Sequence, residues 1–147
     1  MAKGSTFESD VLNLALCGIA ISSMCASAGT TQLWSALHSA DPTGGNQGTN
    51  EVSTTTFAGY SRIATQRSTA TGGWTVSGSG PATASPNSAI TFGQLTSTST
   101  GTATYWSIGH SSNGTGKIYY SGALSPSINL GQNVTPQITT GSSVTES

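Results

Sequence analysis

The sequence predicts a mainly β protein, a jelly-roll-like or Greek-key β-sandwich with an N-terminal α-helix or arm. From residue 32 onward, short alternating apolar and polar runs are separated by clusters of Gly, Pro, Asn and Ser, which is typical of sandwiches and barrels. The chain has 147 residues, of which 34% are hydrophobic, enough for one domain with a modest core. We expect an N-terminal helix and arm over residues 1–30 and a β-sandwich domain over residues 31–147.

Charged residues are scarce, at 6% of the chain, and the formal net charge is −1. An ordinary soluble domain carries about 25% charged residues. A surface this poor in charge is expected where partners cover much of it, or in a β protein whose exposed faces are rich in Ser and Thr. The four basic residues are too few to neutralise several phosphates, so we expect no binding to nucleic acid.

The first predicted element is a helix from about Thr6 to Leu16. Ser5 and Glu8 have the spacing of a capping box, in which each side chain accepts a hydrogen bond from the other residue's backbone N–H. Acidic residues also suit the first turn of a helix, because they oppose the positive end of its dipole.

The apolar residues of this helix extend too far around it for a simple half-exposed helix. We therefore expect it to be deeply packed or to dock against another chain. A basic residue of a later hairpin joins the helix residues as a candidate for contact with a neighbouring subunit. The candidate interface residues are Phe7, Val11, Leu12, Leu14, Leu16, Ile19 and Lys117.

The uncharged run over residues 11–28 ends in Ala26-Ser27-Ala28, which resembles a signal-peptidase site. Acidic residues precede the run where a secretory signal carries positive charge, and polar residues interrupt it. We expect neither a signal peptide nor a membrane span, and therefore synthesis in the host cytoplasm. Cys17 and Cys25 lie eight residues apart, a spacing that fits neither a zinc site nor a redox pair, and we expect buried free thiols.

The β-domain is expected to contain about eight short strands. A long exposed loop over residues 39–51, rich in Gly and Asn, should follow the first strand, and loops of this length are usually functional or mobile. The Ser/Thr-rich segment 96–104 should form a hairpin approach or an edge strand. The predicted strands are 32–38, 60–66, 73–78, 89–93, 102–110, 117–124, 127–131 and 134–140.

The stretch HSSNGTGKIYYSG, residues 110–122, superficially resembles a phosphate-binding loop. A Walker A motif needs a glycine at position 111 and a hydroxyl residue after Lys117, where this chain has Ser111 and Ile118. The residues after the lysine also read as a strand, whereas the motif requires a helix. We therefore predict a hairpin connection whose small residues tolerate positive φ.

No catalytic, cofactor or metal site is expected. His38 and His110 each lie at a strand end, and no nucleophile elbow or zinc-binding helix accompanies them. The aromatic residues alternate within strands, which favours a sandwich core over a sugar-binding platform. They are Trp34, Trp74, Trp106, Tyr105, Tyr119 and Tyr120.

Four stretches together resemble a family of small virion proteins of tailed bacteriophages: MAKGSTFESDVLNL, LWSALHSADPTGGNQ, GYSRIATQRSTATGGWTV and GKIYYSGALSP. Proteins similar to these are capsid cement or decoration subunits with a jelly-roll-like fold, and others are labelled tail-fibre proteins. The resemblance implies a non-enzymatic, homo-oligomeric structural protein on the capsid exterior. Its N-terminal arm, up to about Ala28, would clasp the major capsid protein or a sister subunit.

Two other functions stay open at this point. A tail or tail-fibre component would have the same uncharged, Ser/Thr-rich β character. A carbohydrate-binding β-sandwich module would instead use aromatic residues that remain exposed, such as Trp34 or Trp106.

Overall fold

A computed structural model describes residues 2–19, 21, 32–42, 44–78 and 81–146, which form a β-sandwich with one N-terminal helix. Cys25 and the segment that resembles a signal-peptidase site lie outside these residues. The helix is α1 (Ser5–Cys17). The strands are β1 (Ala2–Lys3), β2 (Gln32–His38), β3 (Ile63–Gln66), β4 (Trp74–Ser77), β5 (Ala82–Pro86), β6 (Ile90–Thr91), β7 (Gly101–Gly109), β8 (Ile118–Leu130), β9 (Gln137–Ile138) and β10 (Val144–Glu146).

The strands form three antiparallel sheets. The largest has the order β1-β8-β7-β2-β3, and the others have the orders β10-β5-β4 and β6-β9. All three contribute to one hydrophobic core, which confirms the predicted fold class. Fully or almost fully buried members of this core are Leu37, Phe92, Leu95, Ala103, Trp106, Ile108 and Ile138.

Strand β8 explains why two separate strands were predicted over residues 117–131. Its register with β7 shifts twice. At the larger shift, between Ala103↔Ile128 and Tyr105↔Ala123, four residues of β8 oppose only Thr104. Pro126 lies in this bulge and has no backbone N–H to contribute to a ladder. The two predicted strands, 117–124 and 127–131, correspond to the parts of β8 before and after this bulge.

Other strand predictions were less accurate. The first strand, 32–38, is confirmed with its bounds, and segment 96–104 leads into β7, which is a central strand and not an edge. Strand β5 was not predicted, because its sequence ATASP lacks the bulky apolar residues that identify strands. It forms a hairpin with β4, in which Trp74 is opposite Pro86.

The helix was predicted within one residue at each end, but the capping box is wrong. The N-cap is Gly4, without a side-chain cap, and Ser5 is already helical. The Ser5 hydroxyl donates instead to the carbonyl oxygen of Gly44 at 2.9 Å. A Cβ at Gly4 would lie 2.3 Å from the carbonyl oxygen of Ile118, so the close approach of the chain to β8 selects glycine at this position.

The connection between β2 and β3 covers residues 39–62, and the exposed loop predicted over residues 39–51 is wrong at Gln47, which is fully buried. Beyond the predicted loop, Val52, Phe57 and Tyr60 are also buried. The Gln47 side chain satisfies backbone groups on two elements, donating to the Trp34 carbonyl at 3.0 Å and accepting from the Ser111 N–H at 3.1 Å. Buried partners thus hold this loop against the sheet.

Candidate functional site

The inner face of α1 is an integral part of the fold. Phe7 is 4% exposed, and its ring centroid lies 5.0 Å from that of Tyr119 and 5.5 Å from that of Tyr120. Consecutive tyrosines can both reach it because the register of β8 shifts here: Tyr120 is opposite Ile108, whereas Ile118, two residues earlier, is opposite the next residue, Gly109. Ile21 is buried in the same cluster. Phe7 was predicted as an interface residue, but it lies in the chain's own core.

Polar contacts hold the same helix to neighbouring loops. The Lys117 ammonium forms an ion pair with the Asp10 carboxylate, and both side chains are partly buried. Such a pair contributes about 0–1 kcal/mol to stability and orients the helix more than it stabilises it. The Ser5 N–H also donates to the Gly44 carbonyl at 3.2 Å. Lys117, predicted to contact a neighbouring subunit, therefore has an acidic partner within its own chain.

The outer face of α1 has the opposite character. Leu12, Leu16 and Ile19 are 59%, 79% and 58% exposed. Leu12 and Leu16 are four residues apart in the helix, so their side chains lie on one face, and Ile19 follows the helix just beyond Gly18. We call these three exposed residues the outer stripe. Leu14 is also exposed, whereas Val11 is half-buried and packs beside Phe7. The structure thus divides the predicted interface set into an inner face and an outer stripe.

No charged residue follows Asp10 in the helix, so the outer stripe is apolar and neutral. Cys17, at the end of the helix, is a free thiol as predicted, but it is exposed and not buried. The helix ends there because Gly18 adopts φ 66°, a left-handed conformation that terminates helices. Exposed large apolar side chains gathered on one helix face are typical of surfaces that contact other proteins.

The structure brings His38 next to a serine that sequence reasoning did not connect with it. His38 Nε2 lies 2.7 Å from Ser107 Oγ, and Nδ1 lies 2.9 Å from the Thr49 carbonyl oxygen. A carbonyl only accepts, so Nδ1 carries the proton and the Ser107 hydroxyl donates to Nε2. Burial lowers the pKa of His38 and favours this neutral form. Both side chains are fully buried, which keeps a substrate from this hydroxyl as the structure stands.

An ion pair between the buried Arg62 and the partly buried Glu51 lies beside this histidine. The Arg62 guanidinium donates to both Glu51 oxygens, at 2.7 and 2.6 Å, and to the carbonyl oxygens of Ser111 and Gly114, at 2.9 and 2.6 Å. Tyr60 donates to the same carboxylate at 3.2 Å, and burial followed by the Glu51 charge raises the pKa of Tyr60. These contacts join the connection between β2 and β3 to the hairpin loop. Sequence spacing gave no signal for them.

The stretch 110–117 forms the predicted hairpin connection between β7 and β8. The Lys117 N–H donates to His110 Nδ1 at 2.9 Å, and the His110 N–H donates to the Lys117 carbonyl at 3.2 Å. Gly114 adopts φ 65°, as expected for a tight loop. Within the described residues, no three His, Cys, Asp or Glu side chains are grouped as a metal site would require.

The tryptophans belong mainly to the core. Trp74 and Trp106 stack with ring centroids 6.4 Å apart, and both are buried. Their indole N–H groups have no hydrogen-bond partner among the described residues. Trp34 is half-buried. Trp106 therefore offers no open ring face on which a sugar could stack.

Comparison with known proteins gives one family. The model of the Gp80 family, described as podophage GP4 fiber I protein gp80, matches residues 4–146. The matched range includes α1 and the β7–β8 hairpin, hence both faces of the helix described above. No curated protein matches the chain. Among the described residues, no helix has the length and hydrophobicity needed to cross a membrane.

Proposed function

The chain belongs to the Gp80 family of podophage fibre proteins, a family of phage virion structural proteins, and from this membership we propose that it is a structural subunit of a virion fibre. The single observation that carries the proposal is the family match over residues 4–146. The scarcity of charge supports it, because charged residues are depleted from the cores of protein interfaces. The family description favours a fibre over the capsid-cement role that the sequence alone suggested.

The outer stripe is the proposed assembly surface. Fully burying a Leu or Ile side chain contributes about 1.5–3 kcal/mol. Since Leu12, Leu16 and Ile19 are between half and four-fifths exposed, covering them would contribute about 1–2 kcal/mol each. The covering surface belongs to a sister copy or to the virion protein on which the subunit sits, for which the major capsid protein is a candidate. Repetition of this contact in a homo-oligomer would raise the overall affinity.

This arrangement modifies the expected arm over residues 1–30. Phe7 and Val11 pack the helix against the β-sandwich, so the exposed side chains of the outer stripe are held in place by the fold. A surface held in its binding conformation loses less entropy on association than a free arm would. Assembly thus depends on contact geometry and requires no chemical step.

Labelling of purified virions with a gold-conjugated antibody against the folded chain tests the location. We expect label along fibres in electron micrographs. Label spread over the capsid surface would favour the cement function instead. Particles that carry no label, although the same antibody detects the chain in infected cells, would overturn the proposal of a virion subunit.

A further inference from the structure

The stretch Asn46–Val52, which we call the strap, crosses from the β7–β8 hairpin to the end of β2. At its beginning, the Gln47 N–H donates to the Gly116 carbonyl at 2.7 Å. At its end, the Val52 N–H donates to the Leu37 carbonyl at 2.9 Å, and Glu51 forms a β-bridge with His38. The strap therefore covers one end of the largest sheet.

His38 is the side chain that joins the strap to the centre of this sheet. One ring nitrogen contacts Thr49 in the strap, and the other contacts Ser107 on β7. The contact with Ser107 requires the neutral ring, in which Nε2 accepts, whereas Nδ1 donates to Thr49 in either charge state. A second proton, on Nε2, would face the hydrogen of the Ser107 hydroxyl. The hydroxyl could turn its hydrogen away, but no other acceptor for it occurs among the described contacts of Ser107.

We propose that His38 is a proton-sensitive latch: addition of a proton to its buried ring releases the strap from the sheet. Two features of the surroundings of His38 indicate that the strap opens rather than stays closed over a charged ring. The ring is fully enclosed, so a cation there would lose its hydration. The carboxylate of Glu51, the residue paired with His38, already binds Arg62 through both oxygens and therefore only partly offsets the new charge.

The charged groups around the ring come from three directions. Glu51 lies in the strap, Arg62 lies in the chain that leads into β3, and Asp41 lies just after β2. Loss of hydration is the largest effect and opposes the protonated ring, as does Arg62. The hydrogen bond to Thr49 and the charges of Glu51 and Asp41 favour the protonated ring by smaller amounts. Proton uptake is thus easier when the strap has opened and water reaches the ring.

The expected size of the effect follows from linkage. An exposed histidine has a pKa of about 6.5. If only the open form binds the proton, the opening constant rises by about (1 + 10)/(1 + 0.1), or roughly tenfold, between pH 7.5 and pH 5.5. The closed strap is therefore most stable at neutral pH, and its stability falls progressively as the pH drops below about 6.5.

Amide hydrogen exchange of the full chain tests this, with rates at pH 7.5 and 5.5 divided by the intrinsic rates. Protection of the Gln47 and Val52 amides should fall by up to about tenfold at the lower pH, while the Phe92 amide, bonded to the Pro136 carbonyl, should keep its protection. Unchanged strap protection would overturn the proposal. An equal fall at Phe92 would also overturn it, because the proton would then act on global unfolding.

A matched pair of histidine variants completes the test. His38→Gln keeps one donor and one acceptor but cannot titrate, so strap protection should become independent of pH. His110→Gln, at the other histidine, should retain the wild-type response. The imidazole NMR signal of wild-type His38 provides a readout that does not depend on variant folding. A midpoint near 6.5 with full strap protection would refute the latch, because it would show a charged ring under a closed strap.

Discussion

Replacement of Phe7 by Ala tests whether α1 folds as part of the domain. The side chain is 4% exposed and lies against two tyrosine rings, so its removal forfeits both apolar burial and aromatic contacts. Truncation of a buried Phe typically costs about 3–5 kcal/mol. An open apolar cleft of about 310 Å³ adjoins Phe7, between the helix and the two larger sheets, so the neighbouring side chains have space to relax. We therefore expect a loss near the lower limit, about 3 kcal/mol.

Urea unfolding followed by tryptophan fluorescence measures this loss, because Trp74 and Trp106 report on the core. Leu16→Ala is the matched control: its side chain is 79% exposed, and we expect a change within about 0.5 kcal/mol. A loss below about 1 kcal/mol for Phe7→Ala would refute the reasoning, since α1 would then be an arm that the domain does not need. A large loss for both variants would show that the outer stripe is already covered in the isolated chain.

Two further predictions concern buried polar and glycine positions. Arg62→Met should lower the free energy of unfolding by about 1.5–3 kcal/mol, since it leaves the partly buried Glu51 without its charged partner. The double variant with Glu51→Leu should recover part of this loss in the same urea assay, and no recovery would contradict the coupling. Gly59→Ala should destabilise strongly, because a Cβ there would lie 2.1 Å from the Gln94 carbonyl oxygen at φ 95°. Gly131→Ala has open space and should be neutral or slightly stabilising in thermal unfolding, so equal melting temperatures for the two glycine variants would exclude the steric argument.

The elements that the sequence predicted well are those with a local signal. Helix α1 was found from its apolar residues and acidic first turn, and β2 from its alternation. The hairpin at residues 110–117 followed from small residues between two aromatic strands. In each case, the pattern that identifies the element is contained in the element itself.

The parts that were missed depend on contacts between distant residues. Gly4 replaces the predicted cap because Ile118, more than one hundred positions away, approaches its α-carbon. The hydrogen bond between His38 and Ser107 joins residues 69 positions apart, and no spacing rule identifies it. The apolar excess on α1 was recognised, but its division into an inner face and an outer stripe required the positions of Tyr119 and Tyr120.

Incorporation of chain variants into phage particles tests the central claim most directly, that this virion subunit assembles through its outer stripe. The triple variant Leu12→Gln, Leu16→Gln and Ile19→Gln leaves Phe7 in place, and Val76→Gln removes a side chain that is 66% exposed elsewhere. Both should melt within a few degrees of wild type. Quantitative mass spectrometry of purified particles should show at least a tenfold loss of the triple variant, since about 3–6 kcal/mol of docking is removed. It should show wild-type levels of Val76→Gln. Wild-type incorporation of the triple variant would contradict the account.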